Sequence, residues 1–168
     1  MADLLEANRK GAFTDLDQDE FVYFGSGAKC GELSNFAEVD TPFVCRSMLW
    51  KSSEHAFQAI LRVEESQWSR FAVGGDLSDL EGLKLVFKEK ELKKKKKHYG
   101  PKKNGKPAMI GIVAKMAVKE KIAEKISPSL KLKLKSEQLH SIDEMAGLFV
   151  EILKAKYQGN PRFMEILL

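Results

Sequence analysis

The feature that most constrains the fold is a stretch near the end of the chain with the start signal and the spacing of one long helix. Ser141 and Glu144 have the spacing of a capping box, in which two side chains satisfy free backbone N–H groups at a helix start. Apolar residues follow at three- and four-residue intervals from Met145 to Tyr157. The pattern predicts a helix here, and a further short helix is predicted from Pro161.

The length and composition indicate one ordinary domain. The 168 residues fit the usual domain size, and 43% hydrophobic with 31% charged residues is typical of a soluble globular protein. No apolar run approaches the roughly 18 residues that a membrane span needs. The first residues lack a secretory pattern, so we expect a cytoplasmic protein, with the nucleus as an alternative. Cys30 and Cys45 lack metal-ligand spacing and are expected to be reduced thiols.

The remaining segments predict a mostly helical α+β domain with a few short strands. Residues 1–20 are expected to be flexible, and residues 21–168 to form the domain. Short strands are predicted at 21–24, 43–45 and 48–50.

Three more helices are predicted in the middle of the chain. The first runs from a serine cap at position 52 or 53 through Arg62, and the second from about Ser78 into the lysines before Pro101. The third spans residues 108–126, where apolar side chains occur nearly all round and indicate a buried helix. Leucines and lysines then alternate from 130 to 135, which suits an edge strand or an extended loop.

The charge is unevenly distributed. The net charge is +4, but residues 1–80 hold 7 basic against 14 acidic residues, whereas residues 81–168 hold 21 against 10. A lysine-rich stretch at 88–106 contains ten lysines with Glu89 and Glu91. A solvated helix end is the ordinary interpretation, and the alternative is a surface for phosphates, with nucleic acid bound through Lys93 to Lys97. Tyr99 is the one aromatic residue there, unlike a typical single-strand-binding surface.

The helix after residue 52 carries most of the candidate chemistry. At about 100° per residue, Glu54, His55, Gln58 and Arg62 share the side opposite the apolar residues. We therefore expect one side to pack and the other to face a ligand or water. Glu54 lies in the first turn, where the helix dipole favours a charged carboxylate, and a solvated carboxylate is the ordinary interpretation of such a residue.

Two blocks of the sequence carry a resemblance to a known family. The run GELSNF at residues 31–36, followed by Phe43, Trp50 and the run SEHAFQA at residues 53–59, closely resembles the signature of the NADAR superfamily, the YbiA-like proteins associated with NAD and ADP-ribose. The run KYQGN at residues 156–160 is similar to a later element of that family.

The resemblance implies a NADAR-like fold and an N-glycosidase, a hydrolase that cleaves the bond between ribose C1 and a base nitrogen. The implied substrates are ribosyl-phosphate or ADP-ribosyl conjugates, either ADP-ribosylated guanine or a ribosylamino-pyrimidine intermediate of riboflavin synthesis. Because the sequence has no apparent cluster of metal ligands, we expect neither a metal nor a cofactor.

The resemblance also implies roles for particular residues. Glu54 aligns with the signature glutamate and would stabilise positive charge on the sugar or activate the attacking water. Small polar residues would bind the ribose or phosphate, and aromatic residues would offer apolar faces to the base or sugar. The predicted substrate-binding residues are Gly31, Ser34, Asn35, Phe36, Trp50, His55 and Gln58.

Two departures from the family pattern leave alternatives open. Leu61 stands where the family usually has a lysine, and Lys51 and Lys115 are candidates for the amine by chemistry alone. The family's usual C-terminal segment is also expected to be missing. The alternatives are a non-catalytic module that binds ADP-ribose or a nucleotide, and a basic nucleic-acid-binding adaptor. The sequence leaves the oligomeric state open.

Overall fold

The computed structural model describes residues 33–102, 105–119, 130–135 and 140–167. These residues form a mostly helical α+β fold with one two-stranded antiparallel sheet, which confirms the predicted fold class. The predicted flexible segment at 1–20, the predicted strand at 21–24 and the candidate residue Gly31 lie outside the described residues.

The sheet is a tight hairpin. Strand β1 (Phe43–Cys45) pairs with strand β2 (Met48–Trp50), and both are confirmed at their predicted bounds. The two turn residues, Arg46 and Ser47, have positive φ angles of 49° and 62°, and left-handed residues at both positions match the twist of a two-residue hairpin. The strand side chains that point into the core are those of Phe43, Cys45 and Trp50.

Helix α1 (Ser53–Arg62) follows the hairpin and begins where the sequence predicts. The hydroxyl oxygen of Ser52 caps it by accepting the backbone N–H of His55 at 3.3 Å. The polar side is more enclosed than the pattern indicates, because eight of the ten helical residues are buried, while Arg62 on that side is exposed. Residues 33–37 and two later helices pack around α1, so its polar side faces protein as well.

The continuous helix predicted after residue 78 is wrong. A 3₁₀ turn (Leu80–Gly82) leads into α2 (Leu83–Val86), and α3 (Glu89–Tyr99) starts separately. Phe87 lies between the two helices with extended backbone angles and is buried in the core. Burial of this ring takes precedence over the helical period. The predicted end before Pro101 is confirmed.

Helix α4 (Gly111–Ala117) lies within the predicted range 108–126, of which residues 120–126 fall outside the described part. Val113, Ala114 and Ala117 are buried, but Lys115 is exposed. The predicted burial is therefore confirmed for the described part of this helix, with Lys115 as the exposed residue.

A close approach at the start of α4 joins it to α1 and to residues 33–37. The backbone N–H of Gly111 donates to the carbonyl oxygen of Phe36 at 3.0 Å. A Cβ atom on Gly111 would lie 2.7 Å from Phe36 Cα and 2.8 Å from Glu54 Cβ, which is closer than real Cβ contacts. The absence of a side chain at position 111 is what permits this backbone contact.

Residues 130–135 lie beside the end of α1, and Lys131 has a positive φ angle of 41°. Leu134 forms an isolated antiparallel bridge with Val63, and the N–H of Lys135 donates to the carbonyl oxygen of Arg62 at 2.9 Å. Leu130 is buried while Lys131 is exposed, so the leucines face inward as the alternation predicts. Of the two predicted forms, the segment is closer to an extended loop than to a strand.

The last two helices agree with the sequence pattern. Helix α5 (Ile142–Gly159) begins with the predicted capping box at Ser141, and α6 (Arg162–Leu167) follows. Helix α5 packs on α1, where the rings of Phe57 and Phe149 meet edge to face with centroids 5.5 Å apart.

Three further points concern the cysteine thiol, metal ligands and membrane-spanning helices. Cys45 is a free buried thiol, as predicted, and burial with the nearby carboxylate of Glu151 raises its pKa to about 11. Within the described ranges, no three His, Cys, Asp or Glu side chains are grouped so that they could hold a metal ion. Over the same ranges, every helix is too short or too polar to cross a membrane.

The close approach at Gly111 leads to a stability prediction. We expect Gly111→Ala to destabilise the fold by about 1–3 kcal/mol, because the new methyl group overlaps the Phe36 backbone. Gly147→Ala in α5 is the matched control, since nothing lies within 4 Å of its built Cβ and alanine favours a helix by about 1 kcal/mol. Urea unfolding of both variants measures the difference. A Gly111→Ala protein as stable as Gly147→Ala would contradict the close approach.

Candidate active site

Glu54 is a nearly buried carboxylate in the first turn of α1, and only 7% of the residue is exposed. Its backbone N–H donates to the carbonyl oxygen of Asn35 at 3.0 Å, which joins the helix start to residues 33–37. Its Oε1 accepts a hydrogen bond from Gln58 Nε2 at 2.8 Å. Within the described residues, Oε2 accepts no hydrogen bond. One carboxylate oxygen is thus oriented by the protein, and the second keeps its capacity to bind.

Burial controls the protonation of Glu54. Desolvation raises the pKa of its carboxyl group above the usual range, while the hydrogen bond from Gln58 and the positive charge of Lys115 act in the opposite direction. Burial is the largest of these effects, so the net result is a pKa above the usual range for this carboxyl group. A carboxyl group with a raised pKa is better placed to exchange protons near neutral pH.

Residues 34–36 form one border of the candidate site. Ser34 is buried, and its Oγ accepts the N–H of Phe36 at 3.4 Å, while Asn35 and Phe36 are half-buried. The ammonium group of Lys115 lies 5.2 Å from the centroid of the Phe36 ring. The structure thus brings Glu54 together with Asn35 and Phe36 as the sequence predicts, and adds Lys115.

Two polar atoms of α1 are buried without a hydrogen-bond partner in the described part of the chain, namely Ser53 Oγ and Gln58 Oε1. Leaving a buried polar atom unpaired costs about 1–3 kcal/mol of folding free energy, so the unpaired state of these two atoms needs a physical reason. Gln58 donates its amide N–H to Glu54, and its carbonyl oxygen is left as an acceptor beside that carboxylate. Ser53 was predicted only as an alternative helix cap.

His55 is part of the core, which makes its predicted contact with a substrate wrong. The residue is fully buried, with Nδ1 at 2.7 Å from Ser52 Oγ and Nε2 at 2.8 Å from the carbonyl oxygen of Leu77. Burial lowers the pKa of the imidazole to about 4, so the ring is neutral at pH 7. Both ring nitrogens are used within the fold, and none remains for a ligand.

Trp50 is likewise a core residue, and its predicted stacking role is wrong. Its exposed fraction is 0%, and its indole N–H donates to the carbonyl oxygen of Cys45 at 2.9 Å. The ring therefore supports the hairpin from inside. Phe36 is left as the aromatic residue beside Glu54.

The candidate amines differ in their surroundings. Leu61 is a buried apolar residue, so its position offers no amine. Lys51 has acidic neighbours, with Nζ 3.6 Å from Asp79 and 3.9 Å from Glu38. Lys115 acts electrostatically on Glu54 and lies over Phe36, so it is the one of the two lysines that the structure associates with the candidate site.

Lys156 is a buried lysine that the sequence analysis gave no role. Its Nζ donates to the carbonyl oxygens of Leu33 at 3.3 Å and Ser34 at 3.2 Å, and its exposed fraction is 0%. Burial lowers its pKa to about 8. The signal was present in the sequence, because Lys156 follows Leu148 and Ile152 at four-residue intervals on the buried stripe of α5. It anchors the residues that border Glu54.

The chain was compared with protein-family models, with curated proteins and with solved structures, and none of the three comparisons gives a match.

The buried ammonium group predicts how stability depends on pH. The pKa of Lys156 is about 8 in the fold and near 10.5 when solvated, so the unfolded chain binds more protons between these values. Stability from this residue should therefore rise with pH across that window. Relative to Lys156→Met, the wild-type free energy of unfolding should gain about 3 kcal/mol between pH 7 and pH 10.5, measured by urea unfolding.

Lys154→Met is the control, because Lys154 is an exposed lysine on the same helix. Its difference from wild type should stay constant over the same pH range. A constant difference for Lys156→Met as well would contradict the buried state of this amine.

Proposed function

We propose that the protein is an N-glycosidase that hydrolyses the bond between ribose C1 and a base nitrogen in a phosphorylated ribosyl or ADP-ribosyl conjugate. The observation that carries the proposal is the state of Glu54: a nearly buried carboxylate with a raised pKa, one oxygen held by Gln58 and the other unengaged within the described residues. The resemblance of residues 31–36 and 53–59 to the NADAR signature motivates the choice of reaction.

The proposed chemistry needs a carboxylate in this state. Cleavage of the C1–N bond leaves its electron pair on the base and builds positive charge on the sugar. Ionised Glu54 would stabilise that charge and accept a proton from the water that attacks C1. The leaving base gains a proton from solvent. Gln58 keeps the carboxylate oriented throughout.

The neighbours of Glu54 suit the proposed class of substrate. The Phe36 ring is half-buried and offers an apolar face to a base or sugar, and Lys115 supplies a positive charge for phosphate. Gln58 Oε1 is an unpaired acceptor for a ribose hydroxyl among the described residues. Because phosphorylated nucleotide conjugates are intracellular, the proposed site of action is the cytoplasm, with the nucleus as the alternative.

A second candidate function is binding of ADP-ribose or a nucleotide without turnover. The observation that favours it is Leu61, which is buried and apolar where the resembling family has a lysine. If the reaction requires an amine at that position, the site would retain its ligand contacts but lose the chemistry.

Replacement of Glu54 tests the proposed reaction. Glu54→Gln preserves the shape and the acceptor for Gln58, so binding of ADP-ribose should change little, while release of free base should fall by about 100-fold or more. The substrates are DNA that carries ADP-ribosylated guanine and a ribosylamino-pyrimidine phosphate, and the released base is quantified by chromatography.

Glu65→Gln is the matched control, because Glu65 is an exposed glutamate in the 3₁₀ turn after α1. It should release base at the wild-type rate. Base release that persists in Glu54→Gln would remove Glu54 from the mechanism, and ADP-ribose binding without release by the wild type would favour the second candidate.

The charge of Lys115 predicts a shift in the pH profile. Lys115 lowers the pKa of Glu54, so Lys115→Met should raise that pKa and move the acidic limb of kcat/KM to higher pH. The sign follows because activity falls as the carboxylate becomes protonated. Lys119→Met, an exposed lysine four residues further on, should leave the profile unchanged. An acidic limb that moves to lower pH in Lys115→Met would contradict the assigned base.

A further inference from the structure

The lysines of helix α3 form two sets, one whose ammonium groups contact the rest of the protein and one whose ammonium groups do not within the described residues. Four of them, Lys90, Lys93, Lys94 and Lys97, are exposed, and their ammonium groups make no hydrogen bond, ion pair or ring contact within the described residues. At about 100° per residue, these four lie within an arc of about 100°, three or four positions apart. We call this set the lysine face of α3.

The remaining side of α3 is occupied by the protein. Leu92 packs against the core, and the ammonium group of Lys95 lies 4.7 Å from the centroid of the Phe87 ring. Lys96 Nζ forms an ion pair with Glu81 at 2.9 Å. The lysines that face the body of the protein thus have partners there, and the lysine face points away from it.

The lysine face carries an electrostatic cost within the isolated chain. Neighbouring like charges at three- and four-residue spacing destabilise a helix by about 0.2–0.5 kcal/mol per pair. Other interactions stabilise the helix. Glu89 and Glu91 place negative charge in its first turn, and the Lys102 ammonium group donates to the carbonyl oxygens of Lys97 and His98 at its end. A bound polyanion would turn the mutual repulsion on this face into attraction.

We propose that the lysine face of α3 binds the sugar–phosphate backbone of double-stranded nucleic acid without sequence preference. Residues three and four positions apart on a helix have Cβ atoms about 5–6 Å apart, so their long, flexible side chains can reach successive phosphates of one strand, and each phosphate contact releases condensed counterions. Lysine side chains contact phosphate as point charges and carry no sequence information there.

The structure favours a duplex over a single strand. Single-strand-binding surfaces interleave basic residues with aromatic rings on which bases stack. Tyr99 is the aromatic residue of α3, and it lies half-buried with its ring 4.6 Å from that of His98, outside the lysine face. This inference does not depend on the chemistry proposed for Glu54.

The test is the salt dependence of duplex binding. Affinity for a labelled 20-base-pair duplex is measured by fluorescence anisotropy across a range of salt concentrations, for the full chain and for Lys90→Gln/Lys93→Gln/Lys94→Gln/Lys97→Gln. The slope of log K against log salt should become smaller by about 3 to 4 in this variant, since each neutralised contact removes about 0.9. Glutamine has nearly the helix propensity of lysine, and circular dichroism verifies that α3 is retained.

The control variant carries Lys119→Gln, Lys131→Gln, Lys133→Gln and Lys154→Gln, which are exposed lysines on other segments. Both variants remove four positive charges from a net charge of +4, so they differ only in position. The control should keep the wild-type slope. Equal losses in the two variants would overturn the proposal, because net charge alone would then explain the binding.

Three further outcomes decide the proposal. Should the fourfold variant fail to fold, Lys93→Gln/Lys97→Gln should still reduce the slope by about 2, and an unchanged slope would overturn the proposal. Tighter binding of a single strand than of the duplex, or of vesicles with anionic lipid, would also overturn it. Glu54→Gln should bind the duplex as the wild type does, so failure here is distinguishable from failure of the proposed reaction.

Discussion

The fold around Glu54 depends on the backbone of residues 33–36 supplying carbonyl oxygens to buried donors. Helix starts have N–H groups without partners inside the helix, and water normally satisfies them. Here Asn35 accepts the N–H of Glu54 from α1, and Phe36 accepts the N–H of Gly111 from α4. The carbonyl oxygens of Leu33 and Ser34 accept hydrogen bonds from Lys156 Nζ. The helix starts can therefore be buried without leaving these groups unpaired, and the missing Cβ at Gly111 allows the approach.

Burial of the first turn of α1 affects its two ionisable residues in different ways. His55 is neutral, and both its nitrogens are used by Ser52 and Leu77, so its contribution is structural. Glu54 keeps one unengaged carboxylate oxygen within the described residues, and its pKa is raised by the same desolvation. Adjacent residues in one buried turn thus differ in how completely the fold satisfies each of them, since His55 is fully paired and Glu54 keeps a free acceptor within the described residues.

The parts of the fold that the sequence predicted are those with local signals. The hairpin, α1 and α5 follow from strand-forming runs, a serine cap and a capping box, each of which acts over a few residues. The break at Phe87 could not be predicted in the same way, because it depends on a ring entering a core built from distant segments. In the candidate site, the sequence identified Glu54 and Gln58, which lie one turn apart. The resemblance assigned His55 and Trp50 to the substrate, and a local sequence signature does not indicate which distant segments cover a side chain in the fold.

The basic half of the chain places its lysines in two different settings. Helix α3 carries its unpaired lysines outward, whereas Lys115 and Lys156 act close to Glu54 as single charges with defined neighbours. A backbone hydrogen bond connects the end of α3 to the segment before α4. The N–H of Met109, two residues before α4 begins, donates to the carbonyl oxygen of Tyr99 at 2.7 Å. The end of α3 is therefore held near the start of the helix that carries Lys115. A polyanion on α3 would approach the candidate site in a limited set of orientations, so binding energy from the lysine face could favour substrates attached to nucleic acid over free nucleotides.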